Sequence, residues 1–144
     1  MTNTIVVGYD GSESAERALE FAAARAKSQG VSVTVAHVLE WSPYTFLTPE
    51  ELEERHARRT EEMARAESIV VAPVLEKLSG QGIEATANIK YGHIADTVCQ
   101  IAKDSGASQI VIGRTGHASL TSRLFGSVAG TLAQASPVPV TIVP

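Results

Sequence analysis

The chain has 144 residues and a mass of 15.2 kDa, the size of one domain spanning 1–144, and its 44% hydrophobic and 19% charged residues are a globular rather than a disordered balance. Twelve basic against sixteen acidic residues give a net charge of -4, which speaks against a general nucleic-acid binder. The single cysteine, Cys99, excludes an internal disulfide and a multi-cysteine zinc knuckle, and no apolar run approaches a membrane span.

Apolar runs alternate with helical stretches along the chain. Thr4 to Asp10 is a β-branched run, apolar on both faces, as a strand buried in a parallel sheet requires. Ser12 reads as a helix N-cap, followed by Ala15, Ala18, Leu19, Ala22, Ala23 and Ala26 at helical spacing, with Gly30 as the stop. Val31 to Val38 is the second strand, and Leu39 to Leu47 is a loop carrying Trp41, Pro43 and Tyr44. Thr48, Pro49 and Glu51 start the longest helix with a capping box. Leu52, His56, Met63, Val70, Val74 and Leu78 form its expected inner stripe, and Pro73 is expected to kink or split it. The seven glutamates and four arginines between Glu50 and Glu67 read as a solvated face with ion pairs.

Ile83 to Tyr91 is a third strand, more polar and so placed near a sheet edge. Gly92 to Asp104 is a helix with Ile94, Val98, Ile101 and Ala102 inward. Ser108 to Gly113 is the fourth strand, followed by a loop rich in Gly, Ser and Thr. Ser127 caps a last helix with Val128, Leu132 and Ala135 inward, and Val138 to Val143 is a fifth strand that Pro139 confines to an edge. The alternation predicts an α/β fold, an open parallel five-stranded sheet with helices on both faces and right-handed crossovers. With the first strand central, strand order reverses between strands one and four. Asp10 and Gly113 then face each other across a crevice of the kind that holds ligands in such sheets.

Gly113-Arg114-Thr115-Gly116, then nine residues, then Gly126-Ser127, is the most informative stretch. Glycines after a buried strand let backbone N–H groups approach an anion, and a helix opening at Ser127 favours a phosphate. No acidic residue occurs from Ser105 to Pro144, while Arg114 and Arg123 are present. The competing account gives these glycines to turns and caps alone. Asp10 is read either as a contact to a ribose hydroxyl or a phosphate-held metal, or as an Asx turn helping to cap the next helix. Val38 ends the second strand with its backbone N–H and C=O at the crevice, where they can bond an adenine edge. His117 is a phosphate neighbour or an exposed loop residue. His37 reads as a satisfied core histidine, His56 as part of the charged helix, and His93 as a cap or a frayed end. Cys99 reads as a small buried hydrophobe. Ser119, Thr121 and Ser122 are phosphate contacts, acceptors of a phosphoryl group, or solvated loop. There is no GxxxxGK[ST] and no GxGxxG, so the Walker and dinucleotide fingerprints are absent.

Val7-Gly8-Tyr9-Asp10-Gly11-Ser12, Ala36-His37-Val38 and the G-x2-G-x9-G-[ST] pattern at Gly113, Gly116, Gly126 and Ser127 make the chain resemble the universal stress protein family over essentially its full length, in its ATP-binding branch. The resemblance implies a Rossmann-like sheet in the order 3-2-1-4-5. It implies ATP with adenine near Gly8, Tyr9, Asp10 and Val38. The phosphates would rest on Gly113, Arg114, Gly116, Gly126, Ser127 and Val128, and Asp10 would stand near the ribose or a magnesium or manganese ion. AMP and cyclic AMP are alternative ligands. The resemblance also implies a homodimer through the last strand, with Val138, Val140 and Ile142 at the seam; the chain departs from the family pattern at Gly130-Thr131, where the family has charged helix formers. The resulting expectation is a cytoplasmic, nucleotide-dependent stress-response regulator acting on a client protein. A slow ATPase or self-phosphorylating enzyme, and a cyclic AMP- or AMP-binding interaction module, are the competing expectations.

Overall fold

The computed structural model describes residues 3–40, 48–115 and 127–144. Its five strands, β1 (Thr4–Gly8), β2 (Ser32–Leu39), β3 (Ala85–Tyr91), β4 (Gln109–Gly113) and β5 (Val140–Val143), form one parallel sheet in the order β3-β2-β1-β4-β5. The order reverses between β1 and β4, as expected for a central first strand and as the family resemblance implies. The two central strands are buried on both faces, and β3 and β5 lie at the edges as their polar residues and Pro139 require.

Helices α1 (Glu13–Gln29) and α3 (Ala72–Gly80) cover one face, packing on Ile5, Val7, Val33, Val35 and Val111. Helices α4 (Ile94–Ser105) and α5 (Ser127–Ala135) cover the other, over Val6, Ala36, Ile110 and Ile112. The inner stripe of α1 is almost all alanine around Leu19, which lets the helix backbone approach the sheet closely. Ser12 caps its start by accepting the N–H of Ala15 at 3.1 Å, and Gly30 ends it in the left-handed region at φ 68°. Arg17 of α1 also donates through Nε to the carbonyl of Pro144 at 2.9 Å, tying the helix to the end of β5.

Four expectations are corrected. β1 ends at Gly8 rather than Asp10, because Asp10 turns back to bond Ser12; only the N–H of Tyr9 extends the ladder, to Ala36 O at 2.9 Å. β5 starts at Val140 rather than Val138, because Ser136 Oγ closes a tight turn on Val138 and Pro139 has no N–H to give. The long helix is divided by a π-helical segment, Ala66–Val71, between α2 (Pro49–Arg65) and α3, with Pro73 in the first turn of α3. One residue is gained at the π segment, so the inward stripe rotates. It runs Ala66, Val71, Val74, Leu78, with Met63 and Val70 half-buried. Leu52 and His56, expected inside, are exposed, and α2 buries no residue. In α5, likewise, Ala129 and Leu132 are buried and Ala135 is exposed.

Candidate functional site

The crevice lies beyond the carboxyl ends of β1 and β4. On the β1 side, the backbone of Tyr9 is used twice inside the protein. Its N–H bonds Ala36 O, and its carbonyl, 2.7 Å from His37 Nδ1, can only accept, so that nitrogen carries the proton. The Tyr9 ring packs into the core beneath α1, and its hydroxyl donates to Glu16. Burial first, then that bond and the nearby charges of Glu16 and Asp10, push the phenol pKa well up. Asp10 is exposed, and its Oδ1 accepts both the N–H and the hydroxyl of Ser12, at 2.9 and 2.5 Å. It therefore forms the Asx turn that sets the start of α1.

Val38 is half-buried on the α4 side of the sheet. Alternate residues of a strand address the same neighbour. Ala36 O receives Tyr9 N–H on the β1 side, while Leu39 O receives Gly92 N–H on the other. Val38, two residues beyond Ala36, thus turns its backbone groups toward β1 at the level where that strand has already ended. There they can bond a group that carries a donor and an acceptor along one edge. His37 is buried, as a core histidine with a partner, and it braces this same corner.

The β4 side departs from simple expectation. Gly113 is buried, and a Cβ there would lie 2.7 Å from the carbonyl oxygen of Ser14 and closer still to its Oγ. Contact with α1, as well as any ligand, therefore requires glycine. Gly8 is similar, with a Cβ meeting Ile112 Cδ1 at 3.2 Å. The N–H groups of Arg114 and Thr115 do not lie open to an anion: they bond Val143 O at 2.8 Å and Ser14 Oγ at 3.2 Å. What Arg114 offers is its exposed side chain. Ser127, exposed, and Val128, half-buried against the α4 side of the core, open α5. Gly116 and Gly126 lie outside the described residues, as do His117, Ser119, Thr121, Ser122 and Arg123.

Away from the crevice, His56 is exposed on α2 and His93 sits at the N-cap of α4 without a side-chain cap bond. Cys99 is half-buried, and burial followed by the charge of Asp96 raises its pKa. Among the described residues no group of three or more His, Cys, Asp or Glu could hold a metal ion by itself, and no helix is long and apolar enough to cross a membrane. Sequence reasoning missed Ser14 and Glu16. Ser14 had a signal: a serine just inside a helix on an alanine-lined inner stripe, where alanine is the better helix former.

The fold is that of a doubly wound α/β protein whose strand order reverses between β1 and β4, the place where such sheets commonly take ligands. The family model described as "Universal stress protein family" matches residues 1–144, and the chain belongs to that family. It is 32% identical over 145 residues to a universal stress protein of Thermus aquaticus, covering 99% of each chain. Among solved structures, a universal stress protein from Archaeoglobus fulgidus shares 28% identity over 100% of both chains with a TM-score of 0.72. Two ligand complexes show the same fold, each with a TM-score of 0.67. One is a universal stress protein with cAMP, 22% identical over 99% of this chain and 97% of the other. The second is a universal stress protein from Archaeoglobus fulgidus with dAMP, 24% identical over 100% of this chain and 98% of the other.

Proposed function

We propose that residues 1–144 form one domain that binds an adenine nucleotide, ATP above all, and acts as a nucleotide-dependent regulator in the stress response. The observation that carries this reading is the orientation of Val38: its backbone groups face the gap beyond Gly8, with Asp10 and Arg114 at the two strand ends that flank the reversal. In this reading Gly8, Tyr9, Asp10 and Val38 take the base and ribose. Gly113, Arg114, Gly116, Gly126, Ser127 and Val128 take the phosphates, with Arg114 contributing its guanidinium rather than its amide. Gly8 and Gly113 serve indirectly, by keeping the strands and α1 close. Asp10 has one carboxylate oxygen committed to Ser12, so a magnesium or manganese ion would be held chiefly by the phosphates, with Asp10 beside it.

A second reading, AMP or cyclic AMP as the ligand, is favoured by the prior use of the Arg114 and Thr115 amides, since a single phosphate needs fewer donors than three. The known complexes of the fold with cAMP and dAMP support it. Mass spectrometry of whatever nucleotide accompanies the undenatured protein, followed by calorimetric titration with ATP, AMP and cyclic AMP, separates the readings. ATP binding tightest supports the first; no adenine nucleotide binding at all overturns both.

The proposal includes a cytoplasmic homodimer. β5 is an edge strand whose outer side has no neighbour in the sheet. Val138, Val140 and Ile142 are half-buried on the chain's own core, so a second copy would pair mainly with the strand backbone and the uncovered parts of these side chains.

A further inference from the structure

Ser14 stands in the first turn of α1 and is only 3% exposed. Burying a hydroxyl is costly unless it is bonded, and alanine would fit the helix better. The hydroxyl has a specific task. Its oxygen accepts the N–H of Thr115, the second residue after β4. One residue earlier, Arg114 N–H is tied to Val143 O on β5, and one before that, Gly113 lies so close to Ser14 that no side chain fits between them. Successive residues leaving β4 are thus gripped by α1, by β5 and again by α1. Two residues before Ser14 in the same turn, Ser12 holds Asp10 on the opposite side of the crevice.

We propose that Ser14 is a positioning residue for the nucleotide phosphates. By holding Thr115 just after Arg114, and by packing on Gly113 just before it, Ser14 fixes the backbone that carries Arg114, and so the place of that guanidinium relative to Asp10. The inference rests on the nucleotide-binding reading above and assigns to that site a residue that does not itself touch ligand. In that reading the base is received by Val38 on β2, while Ser14 holds the chain after β4, so the phosphate and base contributions separate.

The test is calorimetric titration of the full chain with ATP and with adenosine. It compares the unaltered protein with Ser14→Ala, with Ser14→Cys, which keeps the volume but accepts hydrogen bonds weakly, and with Ser14→Thr, which keeps the oxygen. Ser14→Ala and Ser14→Cys are expected to weaken ATP about tenfold, while adenosine stays within about twofold and Ser14→Thr restores ATP. Amide exchange at Thr115 should quicken in Ser14→Ala with the amides of β1 and β4 unchanged. Undiminished ATP affinity in folded Ser14→Ala, or equal losses for ATP and adenosine, overturns the role of Ser14 alone. Should Ser14→Ala fail to fold, the Ser14→Cys arm decides by the same criteria. If the unaltered protein takes up neither ligand, the nucleotide reading falls and this inference with it.

Discussion

The protonated Nδ1 of His37 lies 2.7 Å from the carbonyl oxygen of Tyr9 and so holds the last residue of the β1 ladder in place from the neighbouring strand. Both groups are shielded from water. Replacing His37 by Leu leaves that carbonyl without its side-chain partner and should destabilise the fold by about 1–3 kcal/mol. His37→Asn, whose amide can donate from a similar position, should recover part of the loss. Chemical denaturation midpoints of the two variants check this; equal loss in both would show that packing rather than the hydrogen bond matters.

Glycines 113 and 130 should respond in opposite ways to alanine. At Gly113 the new Cβ meets the backbone of Ser14 at 2.7 and 2.8 Å, where neither strand nor helix can yield cheaply. Gly113→Ala should cost about 1–3 kcal/mol or more. At Gly130 none of the described residues comes within 4 Å of a Cβ, and the residue sits inside α5. Gly130→Ala should therefore raise stability by about 0.5–1 kcal/mol through helix propensity. Thermal midpoints read both signs.

Alkaline titration should expose two raised phenols, the buried Tyr9 and the half-buried Tyr91. Tyr9 is pushed well up from the ordinary 10.0 by burial and by Glu16, and Tyr91 is raised to about 12 by burial and by Glu62. Below about pH 10 both states keep the proton and no change in stability arises from these groups. Above it, the unfolded chain releases protons that the folded chain retains, so stability falls as pH rises. Tyr9→Phe should flatten that decline and also remove the latest step in the phenolate absorbance. A decline of unchanged steepness in the variant would count against the assignment.

Helix α2 has no buried residue and meets β3 through Tyr91, whose hydroxyl donates to Arg59 O at 3.2 Å and Glu62 Oε2 at 2.8 Å while its ring lies 5.3 Å from the Arg59 guanidinium. Hydrogen exchange should be fastest in the first turns of α2 and slow from Ala66 onward, where the buried stripe begins. Tyr91→Ala should extend the fast region toward Arg65 without altering α1 or β1.

The α/β class and the parallel sheet were legible in the residues because strands and helices alternate with distinct periods. The strand order came with the family resemblance, since burial on both faces marks β2 and β4 as well as β1; once β1 is central, topology puts the ends of β1 and β4 side by side. The stripe of the long helix was legible only in part: Val74 and Leu78 are buried as counted, but counting by 3.6 assumes an unbroken ladder and the π segment brings in Ala66 and Val71, while Leu52 and His56 lie exposed on α2, which buries no residue. Nor could sequence tell that Gly113 answers to Ser14. The spacing of glycines announces close approach but does not say what approaches.

Helix α1 meets the ends of three different strands: Ser12 holds Asp10 after β1, Ser14 holds Thr115 after β4, and Arg17 holds Pro144 after β5. The three grips fall within a turn and a half of one stiff rod. A force on any one strand end is delivered to the other two before the sheet itself need bend, so the helix works as a gauge that presets the width of the mouth.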